Sequence, residues 1–303
     1  RSRPMREKVL VIGAGIGGLC TALLLAPSGR EIVMIERDGP LDTSDPDELF
    51  RNWKRNGVAH LRQSHAFLAR LRVIMKEEHP ALIEQLLANG VRELPFDIWL
   101  TEQQEQGYQP EPEDEDLTMI TSRRTTLEMT MRNYVETLPN VTLQCGFRVE
   151  RLLTRKGEDG ILQVNGVQGM LNGVATTMHA DIVVDASGKG GRGIKQLMDD
   201  GAIIKEESDS AGILYFTRHY RLLPDQIEPD RRTNPPASGD LGYLKFGVFP
   251  GDNGNFSITL AVPEVELELR QAIVDPETFH AITLMLPGLF PWTNANRSEP
   301  SGK

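Results

Sequence analysis

Gly13, Gly15 and Gly18 stand in the spacing G-x-G-x-x-G, directly after an apolar run, Val9–Ile12, and at the head of a helix-forming stretch, Ile16–Ala26. A second β-branched run, Glu31–Ile35, ends at Glu36, 23 residues after Gly13. Strand, tight turn, helix, strand and acid in this order are what binding of a dinucleotide requires. Gly13 permits the turn out of the strand, Gly15 lets a pyrophosphate approach the backbone, and Gly18 lets the helix lie on the sheet. The helix start offers unpaired N–H groups and the positive end of its dipole to phosphate oxygens. Glu36 is expected to accept hydrogen bonds from ribose hydroxyls. A membrane span is the competing interpretation of Val9–Ala26, which is 18 residues without a charge, but four glycines and an amphipathic continuation argue against it.

A second cluster, Gly188, Gly190 and Gly193, repeats the spacing after another apolar strand, Asp181–Asp185. The following β-like run, Ile213–Leu222, does not end in the acid that a second dinucleotide site needs, since Asp209 precedes it. The cluster is therefore expected to touch the same pyrophosphate or to be a tight turn, with Arg192 adding charge there.

The elements that must position these residues can be read in outline. Arg62–Glu78 and Ala81–Ala88 have helical spacing, as has Arg124–Leu138, where Leu127, Met131, Tyr134, Val135 and Leu138 share a side. Val141–Leu143 reads as a strand. Arg148–Leu153, Ile161–Val167 and Val174–Met178 suit a small antiparallel ribbon, and Ile194–Asp200 suits a helix. Ile213–Leu222, Leu241–Phe249 and Phe256–Val262 read as antiparallel strands, followed by helices near Glu264–Ile273 and Pro276–Leu286. Pro40–Glu48 and the acidic stretch Glu102–Asp116 are expected to be solvated loops, and Pro291–Lys303 a frayed end. The fold class is α/β: a Rossmann-like domain over residues 1–205 with a central parallel sheet, inserted helices and a small ribbon, then an antiparallel-sheet domain over 206–303.

The 303 residues allow one or two domains, and 39% hydrophobic with 25% charged residues is an ordinary globular composition. A net charge of −10 without a basic tract argues against nucleic acid as partner. Two cysteines, Cys20 and Cys145, form no disulfide framework, which fits a reducing cytoplasm, and no signal peptide is visible. The six histidines show no metal-ligand spacing, so no metal is expected.

Five stretches in order, GAGIGG with IER, GVAHLRQSHAFLARL (Gly57–Leu71), SRRTTLE (Ser122–Glu128), VVDASGKGGR (Val183–Arg192) and YFTRHYR (Tyr215–Arg221), resemble FAD-dependent monooxygenases of the para-hydroxybenzoate hydroxylase type. The likeness is greatest to the bacterial branch with polyether epoxidases and squalene-epoxidase-like proteins. The resemblance implies that Gly13, Ala14, Gly15, Ile16, Gly17 and Gly18 bind the FAD pyrophosphate, with Glu36 on the adenosine ribose and Arg37 near adenine. It further implies that Arg62 reaches toward the flavin or its phosphates, that Arg124 borders the ribityl chain, and that Val149 offers its backbone to adenine. Asp185 and Arg192 match the segment near the pyrophosphate. His65 keeps one family histidine while Gln63 replaces another. Tyr215, Arg218 and Tyr220 lie on the sheet that the family places over its substrate. Arg124 and Glu128 also fit a plain i,i+4 surface pair, and His65 a capping or core histidine.

The resemblance implies FAD reduced by NADH or NADPH, O2 as co-substrate, and epoxidation or hydroxylation of a small organic molecule through a flavin C4a-hydroperoxide, with no dedicated catalytic base. Family members carry a later G-D-A motif, which does not occur here, so the chain is expected to be a fragment or a truncated homologue. A prenyl-reductase type of flavoenzyme and an inactive FAD-binding remnant are the alternatives. Halogenases of this scaffold carry W-x-W-x-I-P, whereas Trp53, Trp99 and Trp292 are isolated.

Overall fold

The computed structural model describes residues 6–230 and 235–302. The chain divides into two compact units. One comprises residues 1–45, 54–59 and 128–208; the other comprises 46–53, 60–127 and 209–303. The division falls within the helix Arg124–Val135.

The first unit is built on a four-stranded parallel sheet in the order Ile182–Asp185, Lys8–Ile12, Glu31–Glu36, Val141–Cys145. Its two central strands, Lys8–Ile12 and Glu31–Glu36, are apolar because both faces are covered, as is usual for parallel sheets. Val9, Leu10 and Val11 are at most 1% exposed. Leu10, Ile12 and Ile35 pack with Phe147, Leu152 and Val167 of the three-stranded antiparallel ribbon Phe147–Lys156, Leu162–Leu171, Val174–His179. The glycine-loop helix, Ile16–Leu25, buries Gly18, Leu19, Ala22 and Leu23. Leu19 and Leu23 each contribute on the order of 1.5–3 kcal/mol on burial. Val9–Ala26 is thus a strand, a turn and a helix, and among the described residues no helix is long and apolar enough to cross a membrane.

The second unit holds a five-stranded sheet in the order Ser238–Asp240, Lys245–Pro250, Asn255–Pro263, Ile213–Leu222, Ser298–Ser301. All its pairings are antiparallel, so strand register sorts the side chains by face. Phe216, Tyr220, Phe246, Val248, Phe256, Ile258 and Leu260 fall on the core side, against Phe279, Leu289 and Trp292. The opposite face carries small and polar residues: Thr217 faces Thr259, His219 faces Ser257, and Gly247 faces Thr259.

The segments 46–53 and 60–127, expected with the parallel sheet, group instead with this antiparallel one. Hydrogen bonds explain the grouping: Thr121 Oγ1 donates to the Pro250 carbonyl, Ser64 Oγ lies 2.6 Å from Ser257 Oγ, and Arg123 pairs with Asp252 at 2.7 Å.

Several expected boundaries shift. The helix expected from Arg62 begins only at Ala69, after a two-residue strand at Ala66–Phe67. The acidic stretch is not a plain loop but folds into helical turns, Glu102–Gly107 and Pro112–Leu117, and Glu115 pairs with Lys76 at 2.9 Å and with Arg72. The C-terminal segment is ordered rather than frayed. Trp292, 1% exposed, stands edge-on to Phe256 at 5.1 Å, and Ser298–Ser301 pairs with His219–Leu222.

Candidate functional site

The glycine loop has the conformation its spacing requires. Gly13 has φ +99°, and a Cβ there would stand 2.6 Å from the Ala186 carbonyl oxygen. The backbone following the strand Ile182–Asp185, at Ala186 and Ser187, therefore closes against the loop. Gly18 lies on the Gly13 carbonyl so tightly that no side chain fits between helix and loop. A Cβ on Gly17, by contrast, would meet nothing within 4 Å. The helix Ile16–Leu25 follows Gly15 as its N-cap, with no side-chain cap and no acid in its first turn, so its first amides are open to an anion.

Glu36 lies at the end of the neighbouring strand and is 3% exposed. Its Oε2 accepts the Ala14 N–H at 2.9 Å, Arg55 Nη2 at 2.9 Å and Arg132 Nη2 at 3.3 Å; its Oε1 accepts the Asp38 N–H at 3.1 Å. Burial pushes this carboxyl up, but Arg55, the two amides and Arg132 outweigh it and hold the pKa below the usual carboxylate range.

Ala14 corrects one expectation. Its N–H is given to Glu36, its carbonyl faces Arg132 Nε at 3.2 Å, and the residue is fully buried. Ala14 therefore faces inward, leaving the amides of Gly15, Ile16 and Gly17 on the outer side.

The other expected cofactor residues divide. Arg37 is exposed, lies 3.9 Å from Asp38, and has its guanidinium against Gly57. Val149 sits in the ribbon opposite Gly169, beside a bulge. Asp185 accepts the Ser187 N–H at 3.0 Å, bracing the turn next to Gly13, and Arg192 is exposed at the start of the helix Gly193–Asp199. These residues all belong to the first unit.

Arg62, Arg124 and His65 belong to the second. Arg62 spends its guanidinium on the carbonyls of Phe50 and Trp53, each at 2.8 Å, and lies over the Phe50 ring. Arg124 Nη1 is 2.6 Å from His60 Nε2. His65 is not on a helix; its Nδ1 is 2.8 Å from the Gln63 carbonyl, and burial pulls its pKa down to about 4.

The three sheet residues do not act together. Strand alternation puts Tyr215 on the polar face with Thr217 and His219, while Arg218 and Tyr220 point the other way. Tyr220 is fully buried, stacks on Phe256, and its hydroxyl is 3.0 Å from His280 Nδ1, so it is a core residue. Arg218 donates to the Pro276 carbonyl. Ser64, Ser257, Thr217 and Thr259 occupy the polar face, linked by hydroxyl contacts of 2.6–2.8 Å.

Sequence reasoning missed Arg55, Glu128 and Arg132. Glu128 is fully buried and takes Arg55 Nη1; it is not a surface partner of Arg124. Arg55 Nε also reaches Asp38 at 3.1 Å. A trace existed in the sequence: Glu128 and Arg132 are one helical turn apart within a run whose remaining positions are mostly apolar or small.

The fold is the one used by FAD-dependent monooxygenases and halogenases. The structure of PqsL from Pseudomonas aeruginosa, a probable FAD-dependent monooxygenase, matches 98% of this chain and 73% of its own, with a TM-score of 0.64 at 14% identity. The flavin-dependent brominase Bmp2 matches 99% of this chain and 66% of its own, with a TM-score of 0.64 at 16% identity. No family model matches the sequence. Among curated proteins, Protein Rv3254 of Mycobacterium tuberculosis (strain ATCC 25618 / H37Rv) is 26% identical over 260 residues, 84% of this chain and 53% of that protein. The chain thus spans about half the length of the curated relative it matches.

Proposed function

We propose that this chain carries the FAD site of a flavin-dependent monooxygenase, acting with NADH or NADPH and O2 on a small organic substrate by epoxidation or hydroxylation. The observation that carries the reading is the glycine loop: open amides at Gly15–Gly17, closed packing at Gly13 and Gly18, and an acid at the end of the second strand with one oxygen turned from the arginines. This donor set fits a dinucleotide. Two phosphates find backbone N–H groups and a helix dipole, and a ribose hydroxyl finds Glu36 Oε1. Asp185, Arg192 and Val149 would line the pyrophosphate and adenine. FAD, when bound and reduced, supplies the oxygen chemistry. The chain's own residues bind and orient it, and the tight packing around Gly13 and Gly18 keeps water from the backbone beneath the phosphates. The hydroxyl-bearing sheet face, with Tyr215 and Thr217, is our candidate for substrate contact. With both cysteines free, we place the protein in a reducing compartment such as the cytoplasm.

The test has two steps. FAD is titrated into the purified chain and followed by flavin fluorescence; saturable binding is expected, and a chain that takes up no FAD refutes the reading. Oxygen uptake with NAD(P)H is then measured on the full-length protein, where an oxygenated product is expected. Anaerobic double-bond reduction would point to the reductase alternative instead.

A further inference from the structure

Beneath the glycine loop, Arg55, Arg132, Glu36, Glu128 and Asp38 form a buried charge cluster. Arg55 comes from the segment 54–59, Arg132 and Glu128 from the helix Arg124–Val135, and Glu36 and Asp38 from the end of the second strand. Cys145, opposite Glu36 in the next strand, and Glu136, just past the helix Arg124–Val135, are further titratable groups at this level. Arg55, Arg132 and Glu128 are 9%, 1% and 0% exposed. Two guanidinium groups converge on the same pair of acceptors. Both reach Glu36 Oε2, at 2.9 Å and 3.3 Å, and both approach the Ala14 carbonyl, Arg132 Nε at 3.2 Å and Arg55 Nη1 at 3.5 Å. The Ala14 N–H donates to that same Oε2. The second residue of the glycine loop is therefore held at both its N–H and its carbonyl.

We propose that Arg55 and Arg132 are positioning residues for the dinucleotide. They fix the Ala14 peptide and Glu36 Oε2 from beneath, so that Oε1 and the amides of residues 15–17 are presented to ribose and phosphate in a preset geometry. The inference rests on the dinucleotide reading given above, and it extends that reading to residues outside the glycine motif. Two cations face three carboxylates in this cluster. Removing one cation leaves the carboxylates to repel each other in a buried site, and one of them then takes up a proton at a higher pH. A protonated Glu36 accepts ribose hydroxyls poorly, so cofactor affinity becomes pH-dependent. A merely structural arginine would weaken binding equally at all pH values.

The test compares the wild-type chain with the variants Arg132→Met and Arg132→Lys. FAD dissociation constants are measured by fluorescence between pH 5.5 and 8.5. The wild type is expected to show a flat profile. Arg132→Met is expected to bind about tenfold more weakly at the acid end than at the alkaline end, the change of one carboxyl titrating. Arg132→Lys, which keeps the charge but not the planar fork, is expected to bind more weakly with a flat profile. A second measurement compares ADP with 2′,3′-dideoxy-ADP as competitors; the wild type should prefer ADP, and Arg132→Met should lose that preference at low pH. If Arg132→Met does not fold, Arg132→Lys decides, and a wild-type constant there overturns the proposal. Wild-type binding of FAD together with a flat, unweakened Arg132→Met profile overturns this inference alone. Failure of the wild type to bind FAD overturns the dinucleotide reading and this inference with it.

Discussion

Two adjacent glycines in the first helix should respond in opposite ways to the same methyl group. Gly17 and Gly18 both lie in the helix Ile16–Leu25, and neither has a positive φ, so alanine is conformationally allowed at each. At Gly17 the new Cβ enters open space. Replacing glycine by alanine in a helix then stabilises the fold by about 0.5–1 kcal/mol, because the unfolded chain loses freedom. At Gly18 the new Cβ would lie 2.9 Å from the Gly13 carbonyl carbon and closer still to its oxygen. Both are backbone atoms, so no rotamer change relieves the overlap, and the helix must back away by roughly 1 Å at a cost of about 1–3 kcal/mol. The retreat also carries Gly13 and Ala14 away from the Glu36 carboxylate, so FAD affinity should fall at least about tenfold, or 1.4 kcal/mol. The three tryptophans, Trp53, Trp99 and Trp292, all belong to the antiparallel-sheet unit, so tryptophan fluorescence does not report on this helix. Hydrogen–deuterium exchange of residues 8–25, with FAD titration in parallel, is the suitable assay. Gly18→Ala should exchange faster in this window and bind FAD weakly, while Gly17→Ala should exchange no faster than wild type. Equal behaviour of the two variants, or undiminished FAD affinity in Gly18→Ala, would refute the close-packing argument.

Other perturbations probe the antiparallel-sheet unit. Asp252 is fully buried and accepts from Arg123 N at 2.8 Å, Arg123 Nη2 at 2.7 Å, Thr126 Oγ1 at 2.9 Å and Asn253 Nδ2 at 2.9 Å. Asp252→Ala leaves the buried Arg123 with Asp47, at 2.7 Å, as its remaining carboxylate and strands the Thr126 and Arg123 donors, and should cost about 2–4 kcal/mol in urea unfolding followed by tryptophan fluorescence. Tyr220→Phe removes the hydroxyl that meets His280, Thr283 and Arg218 and should cost about 0.5–1.5 kcal/mol while leaving kcat/KM of the full-length protein unchanged; a large loss of kcat/KM would return Tyr220 to the substrate site. His65 and His219 are both held down to about 4, chiefly by burial. The unfolded chain takes up these protons near 6.5, so their contribution is complete above that value and is lost as the pH falls toward about 4. The urea midpoint should therefore drop between pH 7 and pH 4.5, and His219→Gln should reduce the drop.

The strand–turn–helix–strand core of the parallel-sheet unit was legible because its signal is local. The run Val9–Ile12, the glycine spacing and Glu36 lie within 30 residues, and each turn has one chemical solution. The antiparallel strands were legible for a similar reason: Ile213–Leu222 was located to the residue, and alternation along Asn255–Pro263 sorts the faces. Alternation also held information that went unused, since residues 215, 218 and 220 differ in parity and cannot share one face of a regular strand. The ordered C-terminal segment was not legible. Its polar composition suggested fraying, but Ser298–Ser301 gains order from an edge position in the sheet and from Trp292 next to Phe256, both long-range contacts.

The residues that hold Glu36 show where a one-dimensional reading stops. Arg55 sits in a mixed stretch with no periodicity, and Glu128 and Arg132 look like the charged side of an amphipathic helix. In the structure that helix is buried nearly all round, and its charges turn inward because an opposite charge waits there. Burying any one of them alone would be strongly unfavourable, and only the set is tolerable. A residue whose presence makes sense only with partners 19 and 73 positions away leaves no local pattern. In the proposed reading, the glycine motif tells which backbone would meet the phosphates. What keeps that backbone and its acid in place is settled by charge balance among segments that meet only after folding, so substitutions at Arg55 or Arg132 should damage cofactor binding while leaving every residue of the recognisable motif intact.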